Sequence, residues 1–406
     1  MVDGTVDGVP VRMQLAIYGS GTFSNSAGNL AGVLVPLWVV TFGVSGPLVG
    51  LIFGARHILP LVLSIHGGAL MDRLGTRRVI LVFAVINALV PLLFPLLLNV
   101  WVAIGLQMIA GLATSMGWIG AQTLIGQVMK GDATPAGRLT LSLRFGHLVG
   151  PPLIGMAWDL AGPWGAFGVM SLWGLLEFFA ALMLPKPDAL DGKPRSRLTG
   201  RNLLSRWSDY VAAFRMLAVP AIMFVAMITM LRNAGNTVQH SFYVVYLNDV
   251  TGLSGTAIGF LTSFAAVIGG VEALSVGALA RRFTPHWLLL VTVIGAAALI
   301  AVTPLLGSFV LLAVAMGLRG ASLGISPPLM MSILSRAADK DSQGTSVGLR
   351  NTANRLTGVV VPISMGALVD FVGIENGFYL MGGLIITLLF FTGWWARGHP
   401  EIAAAS

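Results

Sequence analysis

The chain has no cysteine, which removes disulfide frameworks, thiol nucleophiles and Cys-ligated metals from consideration. It is also short of charge. Asp, Glu, Lys and Arg make up 10% of its 406 residues, where a soluble domain carries roughly 25%. So few charges cannot solvate the surface of a globule this long, so most of that surface must face lipid. No G-x-x-x-x-G-K-[ST] loop is present, which argues against ATP drive within the chain. No H-E-x-x-H pattern and no sizeable soluble loop is present, and the ionisable residues within the apolar runs are mostly single arginines, so a membrane-embedded acyl or glycosyl transferase is a remote alternative. His57 and His66 have no carboxylate or third ligand near them in sequence, so neither a metal nor a cofactor is expected. The N-terminal residues lack the basic, apolar, small-residue order of a cleaved signal peptide and read as a short cytoplasmic lead-in.

What the chain does have is apolar length, with 56% hydrophobic residues and a mean hydropathy of +0.85. It also has an internal repeat. Arg144, Pro151, Gly155, Asp159, Gly162 and Phe167 recur 211 residues later as Arg355, Pro362, Gly366, Asp370, Gly373 and Phe378. A second set recurs 209 residues apart: Gly43, Ser45, Gly46, Gly50, Gly68, Ala69, Leu70 and Arg73 return as Gly252, Ser254, Gly255, Gly259, Gly277, Ala278, Leu279 and Arg282. A near-constant offset in so apolar a chain points to a transporter built from two like halves.

A helix needs about 20 apolar residues to cross a bilayer. Twelve such spans can be placed, at roughly 15–42, 48–71, 78–98, 100–129, 138–162, 164–185, 218–247, 257–280, 286–304, 308–335, 347–373 and 375–396. The expected fold is an all-α membrane protein with 12 transmembrane helices in two pseudo-symmetric six-helix bundles. The halves are 1–185 and 216–406, joined by a central loop over 186–215. The net charge of +8 does not indicate nucleic acid, because most basic residues lie in short turns between apolar runs. Those turns fall on one side, and the turns on the other side hold no Lys or Arg. Positive-inside logic puts the basic turns, the central loop and both termini in the cytoplasm of a multi-pass plasma (inner) membrane protein.

The turn after the second span reads Gly68-Ala-Leu-Met-Asp72-Arg73-Leu-Gly75-Thr-Arg77-Arg78. It resembles the signature loop of the major facilitator superfamily, G-x-L-x-D-R-x-G-x-[RK]-[RK]. The resemblance implies a conformational latch formed by Gly68, Asp72, Arg73, Gly75, Arg77 and Arg78. The second copy is degenerate, with Arg281 where Asp would stand. The fifth span carries Gly146, Gly150-Pro151 and Gly155, similar to the antiporter motif of the family's 12-span drug and organic-solute branch. Its physical sense is a thin, kinked helix that lets a partner come close. In the fourth span Gln107 stands where many members carry Arg.

An ionisable residue inside a span costs about 2.5–3.5 kcal/mol on insertion scales, so each is a functional candidate. Arg232 and Arg319 lie near the middle of spans seven and ten, and Arg56 lies in span two beside His57. Arg144 and Arg355 are repeat equivalents and read as gates or braces. The resemblance places all five on cavity-lining helices. Arginines suit carboxylate, phosphate or sulfonate groups, through paired charged hydrogen bonds. Asn25, Asn29, Asn236 and Gln239 are candidate polar helpers, and Trp118 and Tyr243 candidate flat contacts. Glu272 and His57 are candidates for proton coupling. Glu177 falls in span six, in the family a peripheral support helix, and Asp159 and Asp370 read as caps.

These features give a secondary transporter of a small organic solute, working by alternating access. It is expected to be proton-coupled, with an anionic or neutral substrate. The alternative is a multidrug-type proton antiporter that exports lipophilic compounds, and a non-transporting sensor is a remote one. The expected partners are the solute, protons and lipid, and the expected state is a monomer.

Overall fold

The computed structural model describes residues 5–6, 9–128, 133–184, 215–337 and 343–404. The central loop expected over 186–215 lies outside the described residues except for Arg215. Beyond a two-residue strand pair, Thr5–Val6 with Val9–Pro10, the described residues form helices and short connections.

Spans one to four are Val11–Phe42, Gly46–Leu74, Thr76–Leu96 and Val100–Val128. Spans five and six form one 50-residue stretch, Ala133–Leu182, broken at Gly162. Span seven is Pro220–Asp249, with its helices Pro220–Gln239 and Phe242–Asp249 meeting at His240 and Ser241. Span eight is Gly255–Glu272, which resumes after a short break as Val276–Arg282. Spans nine to twelve are Pro285–Ala301, Phe309–Ala337, Gln343–Val372 and Ile374–Arg397. Val276–Arg282 and Pro285–Ala301 meet at 119°, so they belong to different spans. Among the described residues, ten stretches are long and apolar enough to cross a bilayer. Resolving the 50-residue stretch at Gly162 and adding the 17-residue Pro285–Ala301 gives the expected twelve.

Four of the repeated glycines, Gly43, Gly162, Gly252 and Gly373, sit where the backbone leaves the ordinary helical region. Gly162 and its equivalent Gly373 have φ of 60° and 82°, which reverses the chain between spans five and six and between eleven and twelve. A side chain there would clash with its own backbone, so glycine is the residue that fits.

The chain divides into two compact units, and each takes a short helix start from the other half of the sequence. The first unit holds Met1–Phe42, Ala55–Ser205 and Ser254–Gly259; the second holds Gly43–Gly54, Arg206–Leu253 and Phe260–Ser406. The first is centred on Trp38, Phe94 and Phe167, with Phe94 stacked on Phe167 at 5.0 Å and Trp38 edge-on to both. In the second, Phe378 takes the place of its repeat equivalent Phe167, edge-on to Tyr246 at 5.5 Å. Outward positions carry large apolar side chains such as Leu160, Phe371, Phe390 and Trp394. A surface of that kind is stable against lipid and not against water, so the chain is a multi-pass membrane protein.

The borrowed helix starts show what the rest of the repeat does. In the first unit, Gly255 and Gly259 lie backbone-to-backbone against Gly155 and Pro151. In the second, Gly46 and Gly50 lie against Gly366 and Pro362. Each contact is closed by a carboxylate. Asp159 accepts from the Gly255 and Thr256 amides at 2.8 Å and from the Thr256 hydroxyl at 2.6 Å. Asp370 accepts from the Gly46 amide at 2.8 Å. Amides at a helix start have no partner within the helix, and a carboxylate suits both their hydrogen bonds and the helix dipole. Asp159→Ala is expected to speed hydrogen exchange at the Gly255 and Thr256 amides and to lower stability by about 1–3 kcal/mol. Unchanged exchange at those two amides would remove Asp159 from this role.

Candidate solute-binding site

The second unit brings together arginines that the sequence spaces far apart. Arg319, in span ten, is 3% exposed. Its Nη2 donates to the Gly235 carbonyl of span seven at 2.9 Å, while its Nε and Nη1 are buried without a partner. Arg232 lies one helical turn before Gly235, so the same face of span seven presents both to Arg319. The Arg232 Nε is also buried and unpartnered. The two guanidinium groups repel one another, and Arg350 of span eleven, whose Nε is likewise unpartnered, repels Arg232. No carboxylate hydrogen-bonds to Arg232 or Arg319 among the described residues. Both line a small pocket of about 10 Å³, room for one water, walled by Leu231, Val293, Ala296 and Leu323.

Burying a guanidinium costs several kcal/mol unless its N–H groups find acceptors. Arg319 has an acceptor at Nη2 and none at Nη1 or Nε. That pattern suits an oxyanion as the missing partner, because a guanidinium fork matches two oxygens at once. Tyr243, past the break in span seven, is buried within electrostatic reach of Arg319 and edge-on to Phe378 at 6.3 Å. Gln239 donates to the Met316 sulfur at 3.2 Å. Asn236 is half-buried, one helical turn after Arg232 in span seven. Arg232, Asn236 and Gln239 therefore form one stripe along that helix.

The remaining candidates lie elsewhere. In the first unit, the Arg56 Nη2 donates to the Thr114 hydroxyl at 3.3 Å. Asn25 hydrogen-bonds to His147 at 3.0 Å, and Asn29 is half-buried on the same helix. Trp118 is partly buried and packs against the apolar cluster of Ile17, Ile80, Leu124 and Leu139. Arg144, Arg355 and His57 are half-buried. Glu272 ends the first part of span eight and accepts from the Ser275 hydroxyl at 3.0 Å, so it holds the break in that helix. The antiporter-like motif faces two ways: Gly146 and Gly150 meet Ser26 and Leu30 of span one, while Pro151 and Gly155 meet the start of span eight. Of the latch, Gly75 starts span three with φ of 87°, Arg77 donates to the Leu182 carbonyl at 3.0 Å and Arg78 is exposed. The side chains of Asp72 and Arg73, and the surroundings of Gly68, lie outside the described residues.

Glu177 departs from its expected place. It is 1% exposed and points inward, where its Oε2 accepts from the Asn87 amide at 2.9 Å. Apart from Ser171 and Glu177 span six is apolar, so its sequence gives little signal for which face turns inward.

The Major Facilitator Superfamily model matches residues 17–362 and, in a second match, 226–405. The enterobactin exporter EntS of Shigella boydii serotype 4 (strain Sb227) is 26% identical over 404 residues, covering 93% of this chain and 92% of its own. The EntS of Citrobacter koseri is 27% identical over 386 residues, covering 89% and 88%. Among solved structures, the nucleoside transporter NupG superposes with a TM-score of 0.73 at 14% identity, covering 94% of this chain and 98% of its own. A D-xylose–proton symporter does so with a TM-score of 0.66 at 16% identity, covering 94% and 96%. The chain belongs to the major facilitator superfamily, and it is a secondary transporter of a small organic solute rather than an enzyme.

Proposed function

We propose that this transporter moves an organic anion and that Arg319 and Arg232 bind its oxyanion group. The observation that carries the reading is the buried Arg319 guanidinium, with two nitrogens lacking acceptors beside a second arginine. Asn236, Gln239 and Tyr243 shape the same neighbourhood. The curated relatives are named as enterobactin exporters, which supports export as the direction. Protons are the coupling ion. The halves 1–185 and 216–406 alternate access, the loop around Asp72 and Arg73 acts as their latch, and Arg144 and Arg355 brace the inner ends. The protein works as a monomer in the plasma (inner) membrane with both termini in the cytoplasm, as the basic turns indicate.

The test is a ligand-stabilisation screen on detergent-purified protein. Carboxylates, phosphate esters, sulfonates and enterobactin are set against lipophilic cations and neutral compounds. A ligand that binds the folded state raises the melting temperature in proportion to the logarithm of its concentration over Kd. Stabilisation by anions is expected in the wild type and is expected to weaken at least tenfold in apparent affinity in Arg232→Ala. Stabilisation by cations alone, unchanged in Arg232→Ala, would replace this reading with the multidrug-type one.

A further inference from the structure

The first unit holds a buried acid that no part of the solute site uses. The Glu177 Oε1 is buried without a hydrogen-bond partner, and its Oε2 is held by Asn87. Glu177 lines a small cavity of about 10 Å³, room for one water, with Phe23, Asn87, Thr114, Met170 and Gly174. Space at the unpartnered oxygen depends on Gly117, where any side chain would meet Oε1. The cavity residues contributed by spans one, three and four carry no charge. The charged group that approaches from span two is Arg56, through its hydrogen bond to Thr114 on the cavity wall. No basic side chain hydrogen-bonds to Glu177 among the described residues.

We propose that Glu177 is a proton-binding site of the transport cycle, with Oε1 taking up and releasing the proton while Asn87 holds Oε2. An uncompensated carboxylate in so apolar a setting is costly, and the neutral acid is not. Uptake takes one proton from water to form the Oε1–H bond and neutralises the carboxylate; release breaks that bond, passes the proton to water through the cavity on the Thr114 side and restores the negative charge on Glu177. The Asn87 amide keeps the carboxyl oriented in either state. This rests on the transporter reading, but it does not depend on which solute is carried.

The experiment is infrared difference spectroscopy of the full-length protein in lipid, stepped through pH without solute. A carbonyl band of a protonated carboxylic acid that appears and disappears with pH is expected in the wild type. It is expected to be lost in Glu177→Gln and kept in Glu272→Gln. Asn87→Leu is expected to move the pH midpoint of the same band, which also covers the case in which Glu177→Gln does not fold. A titrating band that survives in Glu177→Gln, or the lack of any titrating band over the pH range in which the protein stays folded, would overturn the proposal. Loss of the band on adding sodium at fixed pH would overturn it too, in favour of a metal-cation site. The anion screen separates the two readings, because the oxyanion site can fail there while the Glu177 band persists.

Discussion

Arg319→Met is expected to raise the melting temperature of the ligand-free protein and to remove its response to organic anions. The two effects have one cause. Arg319 is buried with two nitrogens unpaired, and it faces the like charge of Arg232. Replacing a buried charge by an apolar side chain of similar length is often neutral or stabilising, by about 1–4 kcal/mol. The loss of the charge-assisted Nη2 bond to the Gly235 carbonyl subtracts about 1.5–3 kcal/mol from that gain, so the net rise in melting temperature is small. The ligand, however, loses the donors that were waiting for it. Hydrogen bonds to charged groups contribute about 1.5–3 kcal/mol, so the loss in affinity should be on the order of 100-fold. Arg319→Lys keeps the charge without the planar fork and should fall between the two. Thermal unfolding with and without ligand reads both effects in one experiment. A lower melting temperature with unchanged anion affinity would make Arg319 a brace and not a binding group.

Gly155→Ala is expected to be among the most damaging single substitutions outside that site. A Cβ at Gly155 would run into the backbone of Gly255 and lie 2.7 Å from the Thr256 amide nitrogen. Backbone atoms cannot rotate away, so the start of span eight would have to move and break its bonds to Asp159. Overpacking of this kind costs about 1–3 kcal/mol or more, and loss of the carboxylate bonds adds to it. Gly168→Ala is the control, since a Cβ there meets nothing within 4 Å. It should stabilise its helix by up to about 1 kcal/mol. The yield and melting temperature of monodisperse protein distinguish the two. Equal behaviour of the two variants would show that the close approach at Gly155 is not needed for the fold. The absence of cysteine also helps here, because a single introduced thiol near Ser254 can report accessibility without background labelling.

The sequence by itself determined the number of spans, because lipid requires long apolar helices and tolerates charge on their lipid-facing sides only at the ends. It determined the family through the loop from Gly68 to Arg78. The repeat marked the positions where backbone geometry leaves no alternative. Gly162 and Gly373 carry positive φ, and Gly155 with Gly366 admits a neighbouring backbone. These constraints are local or nearly so, and they restrict residue type directly. Only the tertiary structure decided which charged residues lack partners. Arg319 meets Gly235 across 84 residues, and Glu177 meets Asn87 across 90. In a soluble helix a polar stripe tells which face is outside. In a bilayer the outer face is as apolar as the core, so spans six and ten give no such stripe, and the direction of a buried side chain is fixed by packing alone.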